Sequence, residues 1–152
     1  MDDIHIVRLK PQPIVVVERQ ATASDLPAML GEALQVVSDE LAQVEVQPVG
    51  PAVVRYTKIG DDSVTLEAGF PVEAPVQTLK RALNETLPGG EAAMSLHVGR
   101  YDELDAVHES IKAWITKQGR QPAGACWEVY STDPSVQHNA AKWQTEVYWP
   151  LR

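Results

Sequence analysis

The chain has 152 residues, a formal net charge of −8 and a hydrophobic fraction of 44%. This length suits one compact domain or two small halves that share a core. Clustered Lys and Arg are absent, which argues against direct nucleic-acid binding, and the acidic balance favours a cationic partner. The single cysteine, Cys126, excludes an intramolecular disulfide and favours a cytoplasmic location. We expect neither a signal peptide nor a membrane-spanning helix, and no membrane partner.

The first half of the chain predicts a strand, a helix and two more strands. The opening strand is β-branched and bounded by proline, and the helix follows Ser24, which is expected to be its N-cap. Apolar residues recur along that helix at the spacing of one helical face. The predicted elements are a strand at 13–19, a helix from Leu26 to Val44, and strands at 52–58 and 63–72.

The second half predicts the same order of elements. The helix has acidic residues in its first turn and Gly119 just beyond its end, as helix termini favour. Its apolar stripe includes Leu104 and Ile111, and His108 between them is expected to be a packed or boundary histidine. The predicted elements are a strand at 91–98, a helix at 101–118, and strands at 125–131 and 143–151.

Local sequence similarity supports an internal duplication. GPAVVRY at 50–56 aligns with GACWEVY at 124–130, so that Tyr56 matches Tyr130. Each half then places a glutamate four residues before a proline, at Glu67 and at Glu146. We therefore predict a single domain spanning 1–152, with pseudo-repeats at about 1–72 and 90–152. The intervening segment 73–89 is expected to be a linker with a short helix at Gln77–Asn84.

Strand alternation places a glutamate and a tyrosine on one side of each of the last two strands. Glu128 shares a side with Tyr130, and Glu146 shares a side with Tyr148. If the two sides coincide, two carboxylates and two phenols converge into a site that suits a lipophilic cation. A solvated sheet face would show the same pattern. Glu67, which precedes Ala68 and Gly69, is expected to be a turn or sheet-edge residue.

The motifs LPGGEAAM, HVGRYDEL, EVYSTDP and TEVYWPL, in that order, resemble the GyrI-like small-molecule-binding family. This family includes effector-binding domains of AraC-type and MerR-type bacterial regulators, gyrase inhibitory proteins and, more remotely, SOUL-like haem-binding proteins. The resemblance implies an α+β fold of duplicated β-α-β-β units. Their antiparallel sheets would join about a pseudo-twofold axis and leave a central ligand groove.

The same resemblance implies the residues of the ligand site. In regulators of this family, the groove holds bulky aromatic or cationic molecules between tyrosines and against glutamates. Tyr130 and Trp127 are secondary candidates, since their orientation toward the groove is open. The implied ligand-binding residues are Tyr56, Tyr101, Glu128, Glu146 and Tyr148.

Three functions remain open. No helix-turn-helix is expected beside the domain, which favours a stand-alone effector-binding or multidrug-binding protein, with a separate regulator as a potential partner. The family also implies a hydrolase of cyclopropane-containing genotoxic compounds, in which Glu128 or Glu146 acts as general acid/base. A third reading is a gyrase-modulating protein with gyrase as its partner. The histidines lack metal-ligand spacing, so no metal and no cofactor is expected, and Cys126 is expected to be a buried strand residue.

Overall fold

The computed structural model describes residues 3–152, which form eight strands and two α-helices. None of the helices in this range is both long and apolar enough to cross a bilayer. Short 3-10 turns at Tyr101–Glu103 and Ala140–Lys142 complete the secondary structure. The elements are β1 Ile4–Leu9, β2 Gln12–Thr22, α1 Leu26–Gln43, β3 Val53–Ile59, β4 Ser63–Pro71, β5 Leu83–Leu87, β6 Gly90–Val98, α2 Leu104–Lys117, β7 Cys126–Tyr130 and β8 Gln144–Pro150.

The fold is α+β and consists of duplicated β-α-β-β units with antiparallel strands, as predicted. The first unit, Pro11–Pro88, has the strand order β3-β4-β2-β5. The second unit combines the residues up to Lys10 with Gly89–Arg152 and has the order β7-β8-β6-β1. In each unit the strand before the helix pairs with the last strand of the repeat. Strand β1 extends the second unit where β5 extends the first.

The segment predicted as a linker forms part of the first unit. The expected helix at Gln77–Asn84 is absent, and β5 pairs with β2 instead. Glu40 on α1 fixes the chain before β5, because its carboxylate accepts the backbone N–H groups of Lys80, Arg81 and Ala82. A carboxylate bound by several backbone donors is a strong anchor, and these donors hold the pKa of Glu40 below its ordinary value against the opposing effect of burial.

The start of α1 also differs from the prediction by one residue. Asp25, and not Ser24, is the N-cap, and its side chain makes no capping hydrogen bond. The hydroxyl of Thr22 donates to the Asp25 carboxylate at 3.0 Å, which takes that side chain away from the free N–H groups of the first turn. Pro27 lies in the first turn, where its missing N–H costs no helical bond.

In the first unit, Glu67 is neither a turn nor an edge residue, so that expectation is wrong. Strand β4 lies between β3 and β2, and Glu67 is 6% exposed. It sits directly opposite Arg55 on one neighbour and Glu18 on the other. Its Oε1 lies 3.7 Å from the Arg55 guanidinium, an ion pair that offsets part of the cost of burying the charge.

In the second unit, α2 covers one face of the sheet. Its apolar stripe packs on Ala93 of β6 and Val147 of β8. Burying an aliphatic side chain of this size contributes about 1.5–3 kcal/mol, so this packing fixes where α2 lies on the strands. We call the covered side the helix face. The stripe consists of Leu104, Val107, Ile111 and Ile115.

Candidate functional site

The two Glu–Tyr pairs of the second unit lie on opposite faces of its sheet. The register places Glu128 opposite Val147, and Glu146 opposite Val129. Directly opposed residues of antiparallel strands share a face, and Val147 packs under α2, so Glu128 is on the helix face and Glu146 is not. The predicted convergence of the two carboxylates is therefore wrong. The alternation within each strand was right, but the register aligns even-numbered residues of β7 with odd-numbered residues of β8.

On the helix face, four side chains form a hydrogen-bond chain that we call the Glu128 network. The phenol of Tyr130 donates to Glu128 Oε1 at 2.6 Å, and His108 Nε2 lies 2.7 Å from Glu128 Oε2. The indole N–H of Trp149 donates to His108 Nδ1 at 2.9 Å. Glu128 is 2% exposed, so this chain satisfies a carboxylate that has almost no contact with water.

The proton on His108 decides the charge of this network. Burial lowers the pKa of His108, but the Cys126 thiol and the Glu128 carboxylate outweigh burial and raise it to about 9. An imidazolium has no acceptor nitrogen, however, so the Trp149 bond to Nδ1 requires a neutral ring that donates through Nε2. The Trp149 hydrogen bond therefore favours the neutral ring, in which case the four side chains carry a net charge of −1.

Three half-buried aromatic rings lie next to this buried carboxylate. Tyr101 is 5.2 Å from Tyr130 and 4.6 Å from Trp143, measured between ring centroids. The Trp143 N–H donates to the Gln137 carbonyl at 2.7 Å, which fixes the indole plane. Burial raises the pKa of Tyr101, and the carboxylates of Asp133 and Glu128 raise it further. These three rings, the ring cluster, thus combine aromatic surface with a negative local potential.

The opposite face of the second unit carries a second acidic and aromatic group. Tyr148 donates to Glu146 Oε1 at 2.6 Å and stacks on Trp127, with ring centroids 5.3 Å apart and planes at 15°. Burial, with the bond to Glu146 and its charge, raises the pKa of Tyr148 well above its ordinary value. The phenol therefore stays protonated and neutral. As in the Glu128 network, a tyrosine hydroxyl here donates to a glutamate two residues away. The contacts that form this group, between Tyr148, Glu146 and Trp127, include no histidine.

The predicted site residues thus fall into three places. Tyr101 and Glu128 come together on the helix face, and Tyr130 joins them there. Glu146 and Tyr148 are on the opposite face with Trp127. Tyr56 belongs to the first unit, on β3 opposite Leu66, where it is half-buried.

Sequence reasoning missed His108 and left Trp143 and Trp149 without a specific role. His108 lies one turn after Leu104, so its place on the apolar stripe predicted packing and gave no sign of a carboxylate partner. Its contact with Glu128 depends on how α2 crosses β7 and β8, which is a tertiary feature. Both His108 and Glu128 fall on core-facing positions, where polar side chains need partners. That coincidence is the sequence signal from which their contact could have been predicted.

Metal ligation finds no support within residues 3–152, where no group of three or more His, Cys, Asp or Glu side chains could hold an ion. Cys126 is buried on β7, as predicted for a strand residue.

The whole chain resembles known small-molecule-binding proteins. The family model of the GyrI-like small molecule binding domain matches residues 2–152. The crystal structure of the EcmrR C-terminal domain superposes with a TM-score of 0.84 at 13% identity, covering 100% of this chain and 98% of that chain. No curated protein sequence matches significantly.

Two further solved structures share the fold. SAV2435 bound to tetraphenylphosphonium superposes with a TM-score of 0.70 at 10% identity, over 99% of this chain and 94% of that chain. A hydrolase from Listeria innocua superposes with a TM-score of 0.63 at 10% identity, over 98% of this chain and 91% of that chain. At such low identities these similarities show the fold and not the ligand.

Proposed function

Since the chain belongs to the GyrI-like small-molecule-binding domain family, we propose that it binds a bulky aromatic cation at the ring cluster of its second unit. Glu128 is the counter-charge, and the rings of Tyr101, Tyr130 and Trp143 form the contact surface. The observation that carries the proposal is the almost fully buried Glu128 carboxylate, hydrogen-bonded to neutral donors, next to half-buried rings.

Charge selects the class of ligand. A buried carboxylate with neutral partners keeps a net negative charge in surroundings of low polarity, where charges interact more strongly than in water. A cation against the rings offsets this charge, whereas an anion would meet repulsion. Aromatic faces add about 0.5–2 kcal/mol per ring–cation contact, depending on desolvation. The ligand needs no direct contact with the carboxylate, because Tyr130 contacts the ligand with its ring and donates its hydroxyl to Glu128.

The comparisons support the same class of ligand. SAV2435, a protein of the same fold, is bound to tetraphenylphosphonium, which is a lipophilic cation with four aromatic rings. We infer that this chain accepts a molecule of similar character. The ring cluster offers two tyrosines and a tryptophan for such stacking contacts.

Two matched variants test the proposal. Glu128→Gln and Glu146→Gln each remove one charge from a carboxylate that accepts a tyrosine hydroxyl at 2.6 Å, but on opposite faces. In calorimetric titrations with tetraphenylphosphonium, we expect Glu128→Gln to weaken binding by about tenfold, roughly 1.4 kcal/mol, and Glu146→Gln to leave it within twofold. If only Glu146→Gln loses affinity, the ligand binds on the opposite face, beside Glu146 and Tyr148. Equal affinity in all three proteins would refute a role for either charge.

One contact favours a second function, hydrolysis of a cyclopropane-containing electrophile. The bond between His108 and Glu128 resembles an oriented acid/base pair. Binding ranks first because Glu128 is almost fully buried and both of its oxygens already accept hydrogen bonds. Mass spectrometry of the protein incubated with such an electrophile should show unchanged compound. A ring-opened product that disappears in Glu128→Gln would reverse this ranking.

A further inference from the structure

We propose that the second unit has another binding site, a pocket between β6 and α2 that takes a small organic amine with an apolar body. The pocket has a volume of about 340 Å³. Small-molecule sites in proteins run from roughly 300 to 1,000 Å³, so this one suits a compact ligand. Its apolar walls are Ile4, Val98 and Val107.

The pocket is separate from the ring cluster. Val107 lines it, whereas the next residue of α2, His108, joins the Glu128 network. Consecutive helical residues point about 100° apart, so the two side chains serve different sides of the same helix. Neither Glu128 nor any ring of the ring cluster lines the pocket. The inference therefore does not depend on the proposed function.

Ser95 provides the sign that the pocket accepts a ligand. This residue lies in the middle of β6, opposite Ile4 on β1 and Val147 on β8, and so faces α2. It is fully buried, and its hydroxyl oxygen has no hydrogen-bond partner among residues 3–152. A buried hydroxyl without a partner is costly and uncommon. A polar atom of a ligand that reaches the pocket floor would satisfy it.

Glu103 at the pocket rim sets the charge of the ligand. Its side chain is 56% exposed, and its Oε1 accepts the Arg100 N–H at 2.8 Å. The Arg100 guanidinium pairs with Asp102 at 3.4 Å, so that cation is directed to another carboxylate. His97 Nε2, 3.2 Å from the Arg100 carbonyl and 3.6 Å from Glu103 Oε1, orients its ring toward the same rim. A protonated amine beside Glu103 completes this arrangement.

A matched set of probes tests the chemistry. Cyclohexylmethylamine, cyclohexylmethanol and cyclohexanecarboxylate differ at the polar end and share the apolar ring. In amide-detected NMR titrations, we expect the amine to shift the signals of Ser95, Val98 and Val107 with at least fivefold higher affinity than the alcohol, and the carboxylate to bind least. No shifts at these residues with 10 mM amine, or equal affinity for all three probes, would overturn the proposal.

Two variants of the same helical region provide the control. Glu103→Gln keeps the acceptor for the Arg100 N–H and removes the charge, and should abolish the preference for amine over alcohol. Glu109→Gln removes a charge that is 73% exposed and paired with Lys112 outside the pocket, and should leave the preference unchanged. Ser95→Ala, which removes an unpartnered hydroxyl without harm to folding, should weaken amine and alcohol alike by about threefold. If Glu103→Gln and Glu109→Gln lose the preference for amine equally, the preference reflects the overall charge of the protein, and the proposal of a specific site at Glu103 is contradicted.

Discussion

Trp149 decides the charge state of the most deeply buried acidic group in the second unit. Its indole N–H occupies His108 Nδ1, the position where a second proton would have to bind. Burial lowers the pKa of His108, whereas Cys126 and Glu128 raise it to about 9 and so favour the imidazolium. The Trp149 bond opposes them, because it favours the neutral ring. The cation selectivity proposed for the ring cluster therefore depends on the indole N–H of Trp149, the penultimate residue of β8.

We predict that Trp149→Phe converts His108 to the imidazolium at pH 7. Phenylalanine keeps aromatic packing but has no N–H, so Nδ1 becomes free to take a proton. Ring ¹⁵N shifts of His108 should show one protonated nitrogen in the parent protein and two in the variant. Trp143→Phe is the control, since the Trp143 N–H donates to Gln137 and not to His108. A doubly protonated ring in the parent protein would contradict the assignment and remove the basis for the net charge of −1.

We also predict that Glu67 makes the first unit less stable as the pH rises. Burial raises the pKa of Glu67 above its ordinary 4.5, Arg55 opposes this, and the charges of Glu85 and Glu18 add to it. Between 4.5 and the higher folded value, the native state binds more protons than the unfolded state, so the free energy of unfolding falls as pH increases through that window.

Urea denaturation across this pH range measures the effect. Glu67→Gln should lack the decline, because glutamine does not titrate. Glu73→Gln, which changes an exposed carboxylate of the same unit, should retain it. If the two variants lose stability with pH in parallel, Glu67 is not the group responsible.

At residue scale, the sequence was sufficient to pair Glu128 with Tyr130 and Glu146 with Tyr148, because strand alternation is a local property. It was not sufficient to decide whether the two pairs meet. That depends on the register of β7 against β8, and a shift of one residue would reverse the answer. The position of His108 over Glu128 likewise depends on the packing of α2.

At the scale of elements, Gly69 of β4 pairs with Val16 of β2 at a point where the backbone of β2 leaves no room for a side chain. A Cβ atom at this position would lie 1.8 Å from the Val15 carbonyl oxygen and 2.8 Å from Val16 Cα. Both contacts are with backbone, which cannot move without breaking the ladder between the two strands. Glycine is therefore required here for the close approach of two central strands.

We predict that Gly69→Ala destabilises the protein by at least about 3 kcal/mol, since relief of the clash must separate β4 from β2. Gly31→Ala is a matched control on α1 of the same unit, where an added Cβ meets no atom within 4 Å. It should stabilise the helix by about 0.5–1 kcal/mol. Thermal and urea unfolding of the two variants measure these changes. Similar stability of both variants would show that the strands can accommodate the methyl group.

The strands missing from the sequence prediction share a position. Both β1 and β5 lie at the outer side of their unit's strand order, next to β6 and β2 respectively. Outer strands bury less of their surface and carry more polar residues, so their hydrophobic pattern is weak. In β5, for example, Asn84 and Glu85 interrupt the apolar pattern. The six strands with a stronger pattern were predicted within one or two residues in most cases.

At the scale of the molecule, the duplication holds for the register as well as for the order of elements. Tyr56 lies opposite Leu66, the residue just before Glu67. In the same way, Tyr130 lies opposite Thr145, the residue just before Glu146. The units differ two residues before the tyrosine. The first unit has Val54 there, which is fully buried, and the second has Glu128. The acidic network is therefore a property of one unit and not of the repeated fold.

This asymmetry predicts one tetraphenylphosphonium site per chain. Both units offer a tyrosine at the equivalent position, but two residues before it the second unit has the Glu128 carboxylate and the first unit has Val54. The buried Glu67 of the first unit already has Arg55 as its partner. Calorimetry should therefore give a stoichiometry of one, with a single affinity. If the tyrosine alone were sufficient, two sites of similar affinity would appear, and Glu128→Gln would remove at most one of them. Tyr56→Phe should leave both stoichiometry and affinity unchanged, whereas Tyr130→Phe, which removes the phenol that donates to Glu128, should weaken binding severalfold.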